Sequence, residues 1–140
     1  NYYDNVFSLS CADWNIRTID IINRCWKLVK PGGYFTISVR LTNIDGVNDF
    51  NKSYQVLKYK NTEPEMANYV VFNWKIFLKM IYGLNIKPSE VYGNGYWGEP
   101  SSNAITPYKK LTFSCFVIKK GTSFTNTADV NFSFPLDLFL

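Results

Sequence analysis

The sequence predicts an α/β fold, with parallel strands, an antiparallel last strand and helices on both faces of one sheet. The first observation behind this prediction is an apolar segment, an amphipathic segment and a second apolar segment that follow one another within residues 6–39. The second is that a further amphipathic segment and two more strand-like segments follow in the same order. The chain has 140 residues, of which 46% are hydrophobic and 19% charged, so it can bury the core of such a fold.

The first unit is predicted to be a strand, a helix and a parallel strand. Residues 6–9 and 34–39 are rich in the side chains that favour strands. A helix is predicted over residues 15–30, and Pro31-Gly32-Gly33 is expected to end it. The residues of its apolar face recur at helical spacing: Ile19, Ile22, Trp26 and Val29. Two strands joined by one helix are expected to pair in parallel through a right-handed crossover.

The middle of the chain is predicted to be a long loop followed by a second helix. Residues 41–61 are polar and carry no clear periodicity apart from a short element near 54–59. Thr62 and Glu65 have the spacing of a capping box, which marks the start of a helix. The apolar stripe of this helix consists of Met66, Val70, Trp74, Phe77 and Ile81.

The last part of the chain is predicted to be two strands and a tail. Residues 90–96 and 111–119 are the strands, and the second of them alternates between two faces, one of which is mixed. Residues 121–140 are polar and then apolar, so we expect them to form either an extra strand or an interaction arm.

Composition excludes several classes of site. Histidine is absent, which excludes histidine-dependent triads and histidine-based zinc sites within the chain. The three cysteines are too widely spaced for a disulfide framework or a Cys-x-x-Cys metal site, so we expect no bound metal. The net charge of +4 is spread thinly, which argues against nucleic-acid binding. No apolar run has the ~18–20 residues of a membrane span, and no signal peptide is visible, so we expect a cytoplasmic protein.

One glycine-rich motif matches the phosphate-binding pattern GxGxxG. Its glycines are Gly93, Gly95 and Gly98. In a dinucleotide site such a motif opens a helix and is followed about 20 residues later by an acidic residue. Here a proline-containing loop follows instead, and the next acidic residue after Glu99 is Asp129. We therefore interpret the motif as a turn between strands.

Residues 4–39 resemble the central part of class I S-adenosylmethionine-dependent methyltransferases. Members of that family often carry an aspartate that opens the fourth strand and a small residue at its end, and Asp4 and Ser10 occupy those places. An amphipathic helix then ends in a Leu-hydrophobic-Lys-Pro-Gly-Gly run, which residues 28–33 match, before an apolar fifth strand at residues 35–39. The resemblance extends over about residues 1–120.

The resemblance implies the C-terminal half of a Rossmann-like methyltransferase domain. The glycine-rich turn and the ribose-binding acid that hold S-adenosylmethionine in the family would precede Asn1, so the main cofactor motif is not in this chain. Its first strand would then form the sheet edge, available to a second copy or to a partner chain.

Candidate site residues follow the predicted strands, because ligands bind beyond the carboxyl ends of parallel strands. After the first strand, the resemblance places Ser10, Cys11 and Trp14 beside the cofactor, although Trp14 fits a core position equally well. Asp13 fits either a general base that removes the acceptor's proton or a helix cap.

The acceptor side is expected at two other places. Arg40 and Asn43 follow the second strand, where Arg40 fits either a clamp for an anionic group or a surface ion pair. The aromatic pair Tyr96 and Trp97 fits either a binding loop or a structural role. The resulting expectation is part of a methyltransferase acting on a small-molecule or saccharide-like acceptor. The alternative is a non-catalytic methyltransferase-like binding module that acts through a partner chain.

Overall fold

The computed structural model describes residues 2–122 and 127–140; the remainder of the predicted tail, residues 123–126, lies outside this part. Two α-helices are present in it, α1 (Thr18–Leu28) and α2 (Trp74–Tyr82), with short 3₁₀ turns at Ala12–Trp14 and Leu136–Phe139. The strands are β1 (Tyr3–Ser8), β2 (Val29–Thr42), β3 (Tyr54–Leu57), β4 (Glu65–Asn68), β5 (Phe72–Asn73), β6 (Pro88–Gly98), β7 (Ala104–Ile105), β8 (Leu111–Lys120) and β9 (Asp129–Ser133).

The main sheet is mixed and has the strand order β1-β2-β8-β6-β9, with β5 paired to the end of β2. The parallel pairing predicted for the first unit is present, since Val6 lies opposite Phe35 and Phe7 opposite Thr36 in a parallel ladder. β8 runs antiparallel to both of its neighbours, and β9 runs parallel to β6. A separate antiparallel sheet, which we call the small sheet, has the order β4-β3-β7.

Both helices cover the same face of the main sheet, so the predicted fold class is wrong. One buried cluster joins Trp26 of α1 and Phe77 of α2 to Ile37 and Phe116 of the sheet, and the Phe77 and Phe116 rings lie 5.0 Å apart. The described residues are 44% strand and 20% helix. This is a mainly β architecture with a mixed and an antiparallel sheet, and it is not half of a Rossmann-like domain with helices on both faces.

The other face of the main sheet is largely open to solvent. Its centre, which we call the open face, consists of Phe7, Tyr34, Thr36, Tyr92, Cys115 and Val117. Phe7 is 62% exposed and Tyr92 45% exposed. Neither helix contributes to this face, because the helices pack against the alternate residues of the same strands.

The predicted second helix begins eleven residues later than the capping box indicated. The segment after Pro64 forms β4, where Met66 pairs with Val56 of β3 and is 54% exposed. α2 starts at Trp74, and its N-cap is Asn73, whose Oδ1 accepts hydrogen bonds from the backbone N–H groups of Lys75 and Ile76. Pairing with β3 therefore overrides the local capping signal.

The first helix is shorter than predicted, and the Pro-Gly-Gly run does not lie in a turn. α1 ends at Leu28, and residues 31–33 already belong to β2, where Gly32 adopts a φ of +79° and the pairing with β1 shifts register. Ile22 and Trp26 are buried as expected, but Ile19 is 50% exposed. The described helices are all too short or too polar to cross a membrane.

Candidate functional site

A cavity of about 440 Å³ lies at the carboxyl ends of β1 and β2. The 3₁₀ turn after β1, the end of β2, the small sheet, the end of β6 and the start of β8 surround it. The residues that line it are Ser10, Asp13, Trp14, Ser38, Val39, Arg40, Gln55, Tyr69, Tyr96, Ser101, Phe113 and Ser114.

The chain after β1 is held by a tight local connection. Ser10 adopts a φ of +49°, which is uncommon for a residue other than glycine. Its backbone N–H donates to Ser38 Oγ on β2 at 2.7 Å. The 3₁₀ turn at Ala12–Trp14 follows, and its first residue, Ala12, is fully buried. This turn carries Asp13 and Trp14 into the cavity wall.

Asp13 and Arg40 form a buried ion pair whose side chains are 4% and 6% exposed. The backbone N–H of Arg40 donates to Asp13 Oδ2 at 3.1 Å, and Arg40 Nε lies 3.5 Å from the same oxygen. Arg40 Nε also donates to the Val70 carbonyl at 3.1 Å, and Arg40 Nη2 donates to the Asp13 carbonyl. Arg40 is therefore neither a surface residue nor a free anion clamp.

Aromatic rings hold the guanidinium group in place. The Arg40 Cζ atom lies 3.7 Å from the centroid of the Tyr69 ring and 4.6 Å from that of Trp14. The two rings meet edge to face at 5.6 Å. Contacts of this kind between a cation and an aromatic face are stabilising, and more so when they are desolvated.

The second carboxylate oxygen of Asp13 is the unsatisfied group of this site. Oδ1 is buried and has no hydrogen-bond partner among the described residues. Leaving such an acceptor unpaired costs about 1–3 kcal/mol. Burial raises the pKa of Asp13 above its usual 3.8, although the Arg40 charge opposes this effect. A raised pKa and a free oxygen are the properties of a proton acceptor.

The rim of the cavity is aromatic. Tyr96 is 66% exposed, and its ring lies 5.8 Å from that of Phe113 at an angle of 37°. Tyr96 and Phe113 face each other across the β6–β8 pairing. The rim therefore offers an aromatic apolar surface next to the small polar groups of the cavity wall.

The structure brings together five of the eight predicted site residues: Ser10, Asp13, Trp14, Arg40 and Tyr96. Cys11 is exposed and does not line the cavity. Asn43 and Trp97 lie elsewhere and meet at Asp137 in the C-terminal segment. Asn43 Nδ2 donates to the Asp137 carbonyl at 3.1 Å, and Trp97 Nε1 donates to Asp137 Oδ1 at 2.7 Å.

Asp13 does not cap α1. It lies within the 3₁₀ turn, and the N-cap residue of α1 is Arg17, which makes no capping hydrogen bond through its side chain. The helix start is held differently: Thr18 Oγ1 donates to the Asn15 carbonyl at 2.6 Å, and Asn15 Oδ1 accepts from the Arg17 backbone N–H at 2.8 Å.

The glycine-rich motif is a packing feature of β6 and does not lie in a turn. A Cβ atom on Gly93 would lie within 3 Å of the Phe116 and Phe134 rings, and one on Gly95 would lie 2.7 Å from the Phe134 ring. The glycines make room for phenyl rings. No helix opens at this motif in the described residues, which agrees with rejecting a phosphate site.

Sequence reasoning missed the cavity residues that come from the middle of the chain. Tyr69 was expected in a helix, and Gln55 in a short element of a loop with no assigned role. Neither has a local signal, because each reaches the site through the pairing of the small sheet. No family model matches this chain, and no curated protein has significant sequence similarity to it.

Proposed function

We propose that this chain is part of an S-adenosylmethionine-dependent methyltransferase and that it forms the acceptor side of the site. The proposal draws support from the parallel strand–helix–strand unit with its Leu28–Gly33 run, and from the cavity at the carboxyl ends of that unit. It does not depend on the helix arrangement, which differs from the expectation. A small molecule or a saccharide-like compound is the proposed acceptor, and the cytoplasm the proposed location.

The observation that carries the proposal is the position of Asp13 in the cavity wall, with a buried Oδ1 that makes no hydrogen bond within the described residues. S-adenosylmethionine, when bound, supplies a methyl group on a sulfonium, and this group is open to in-line attack by an acceptor oxygen or nitrogen. Oδ1 of Asp13 is covered by protein, so in the proposed reaction the 3₁₀ turn shifts to expose it before it accepts the proton that this acceptor atom loses. The Arg40 contacts to Oδ2 fix the carboxylate, so that its other oxygen keeps one orientation.

The residues present fit the acceptor side better than the cofactor side. Trp14, expected beside the cofactor, has one face against Arg40 and an edge contact with Tyr69. The one glycine-rich run is filled by phenyl rings. We infer that a further polypeptide segment holds the ribose and adenine of the cofactor.

The test is methyl transfer from tritiated S-adenosylmethionine by the protein expressed from its complete reading frame, with hydroxylated and amine-bearing acceptors. Asp13→Asn is expected to lower kcat by about 10²–10⁴-fold, as for loss of a general base. Asp20→Asn is the control, because Asp20 is exposed and pairs with Arg17 at the surface. Absence of cofactor binding would refute the proposed activity, and an unchanged rate in Asp13→Asn would refute the role of Asp13.

The second candidate function is a non-catalytic binding module that acts through β1. This strand pairs on one side with β2 and has no strand on its other side within the described residues. Tyr3 and Phe7 project from it and are 52% and 62% exposed. An uncovered edge with apolar side chains is a template for pairing with another chain.

Sedimentation velocity over a range of concentrations tests this alternative. If β1 joins two copies, the dimer dissociates when Phe7→Lys places a charge on the edge strand. Tyr59→Lys is the control, since Tyr59 is 59% exposed and lies outside the main sheet. A monomer at all concentrations would rule out pairing of two copies.

A further inference from the structure

We propose that the cavity lined by Asp13 and Arg40 binds an uncharged hydroxylated ring, with ring hydroxyls against Ser10, Ser38 and Gln55 and one ring face against Tyr96 and Phe113. The claim that this ligand is a methyl acceptor rests on the proposed function. The binding itself is argued from the cavity alone.

The charge of the cavity favours a neutral ligand. Asp13 and Arg40 are the charged residues among those that line it, and they form an ion pair with each other. The Nε and Nη2 donors of Arg40 are engaged by Val70 and Asp13, and both ring contacts cover its plane. A phosphate or carboxylate would therefore compete with Asp13 for the guanidinium group.

The polar part of the cavity wall suits hydroxyl groups. Its small uncharged polar side chains include Ser10, Ser38 and Gln55. Hydroxyl and amide groups both donate and accept, which matches the capacity of several neighbouring ligand hydroxyls.

The apolar faces of a hydroxylated ring fit the rim. Tyr96 presents an exposed ring beside Phe113. A saturated ring with equatorial hydroxyls has one or two C–H faces that can lie on such a surface, while its edge carries the hydrogen bonds. The volume of about 440 Å³ falls within the range of about 300–1,000 Å³ for small-molecule pockets.

Titration calorimetry of the 140-residue chain with methyl glycosides of the common hexoses tests the proposal without any methyl donor. The corresponding hexose 6-phosphates and 2-amino sugars serve as the anionic and cationic comparisons. We expect at least one neutral glycoside to bind, and its charged derivatives to bind more weakly.

Two tyrosines of β6 provide a matched pair of variants. Tyr96→Ala is expected to weaken glycoside binding about tenfold through loss of the ring contact. Tyr92→Ala should leave affinity unchanged, because Tyr92 lies on the same strand and the same face but outside the cavity. Both side chains are exposed, at 66% and 45%, so neither substitution removes a core residue.

Three results would overturn the proposal: no binding by any neutral glycoside, tighter binding of the phosphorylated or amino sugars, or an equal effect of the two tyrosine substitutions. If a glycoside binds as expected but is never methylated, the proposed activity is refuted and the binding site remains. If methyl transfer occurs only to charged acceptors, the activity remains and the ligand class is wrong.

Discussion

Arg40 contacts Asp13 through both its backbone and its side chain. The N–H group donates to Oδ2 at 3.1 Å, and Nε lies 3.5 Å from the same atom. One residue of β2 thus neutralises the carboxylate and fixes its orientation. Burial lowers the pKa of Arg40 while the Asp13 charge raises it, yet an arginine remains protonated throughout the physiological range.

Removing the arginine leaves a buried carboxylate without its counter-ion. Arg40→Ala is therefore expected to lower the free energy of unfolding by about 3–5 kcal/mol. Urea denaturation followed by tryptophan fluorescence measures this change. Arg17→Ala is the control, because its ion pair with Asp20 is exposed and should contribute less than about 1 kcal/mol. Equal effects of the two substitutions would show that the buried ion pair contributes no more to the free energy of unfolding than the exposed one.

The raised pKa of Asp13 predicts a specific pH dependence of stability. Between 3.8 and the higher pKa of the folded state, the folded protein keeps a proton that the unfolded chain has released. Stability from this group therefore falls as pH rises through that window. In urea titrations at a series of pH values, Asp13→Asn should gain stability relative to the wild type as pH rises above 3.8. A difference independent of pH would contradict this.

Asp137 should show the opposite trend. A hydrogen bond from Trp97, with the charge of Lys110, lowers the pKa of Asp137 below its usual 3.8. Its contribution is present above 3.8 and is lost as pH falls through the folded-state pKa. The deficit of Asp137→Asn relative to the wild type should therefore shrink in acid. The same titrations measure this deficit. A deficit that grows in acid would contradict a lowered pKa of Asp137.

The glycines of β6 are expected to tolerate no side chain. Gly95→Ala would place a Cβ atom 2.8 Å from the Phe113 carbonyl oxygen and 2.7 Å from the Phe134 ring. We expect it to destabilise the protein by about 1–3 kcal/mol through overpacking. Asn94→Ala, on the exposed side of the same strand, should change stability by less than about 0.5 kcal/mol. Thermal unfolding distinguishes the two, and a harmless Gly95→Ala would show that the phenyl rings can move aside.

The C-terminal segment is expected to be part of the core. Leu138 is fully buried, whereas Leu136 and Leu140 are 84% and 93% exposed. Leu138→Ala should therefore cost about 2–5 kcal/mol of folding free energy. The same change at Leu136 or Leu140 should cost little, and denaturant midpoints of the three variants give the comparison. Three equal midpoints would mean that this segment is not anchored.

The sequence predicted what depends on neighbouring residues in the chain. Local periodicity predicts the buried Trp26 of α1 and the position of β8. The single helix between β1 and β2 predicts their parallel pairing. The segment around Met66 could not be predicted in this way, because its partner strand lies about ten residues upstream and the pairing outweighs the capping box. The prediction that helices lie on both faces of the sheet was wrong for a similar reason, because contacts throughout the chain decide which side of a sheet a helix covers.

The site was predictable to the same extent. Asp13, Trp14 and Arg40 follow predicted strands, so the rule for the carboxyl ends of parallel strands placed them together. Tyr69 joins them through the small sheet, and its position depends on contacts that carry no local signal. Asn43 and Trp97 instead donate hydrogen bonds to Asp137, a residue of the C-terminal segment for which no role was predicted.

The position of β8 between β2 and β6 affects how the protein is made. Both neighbours precede β8 in the chain, yet they do not pair with each other, and β8 alone joins them. During synthesis, β2 and β6 leave the ribosome without their shared partner. Their association depends on contacts between distant parts of the chain, which slows folding. The strand that assembles the sheet is therefore translated after both of its neighbours, and premature termination before residue 111 would leave β2 and β6 unjoined.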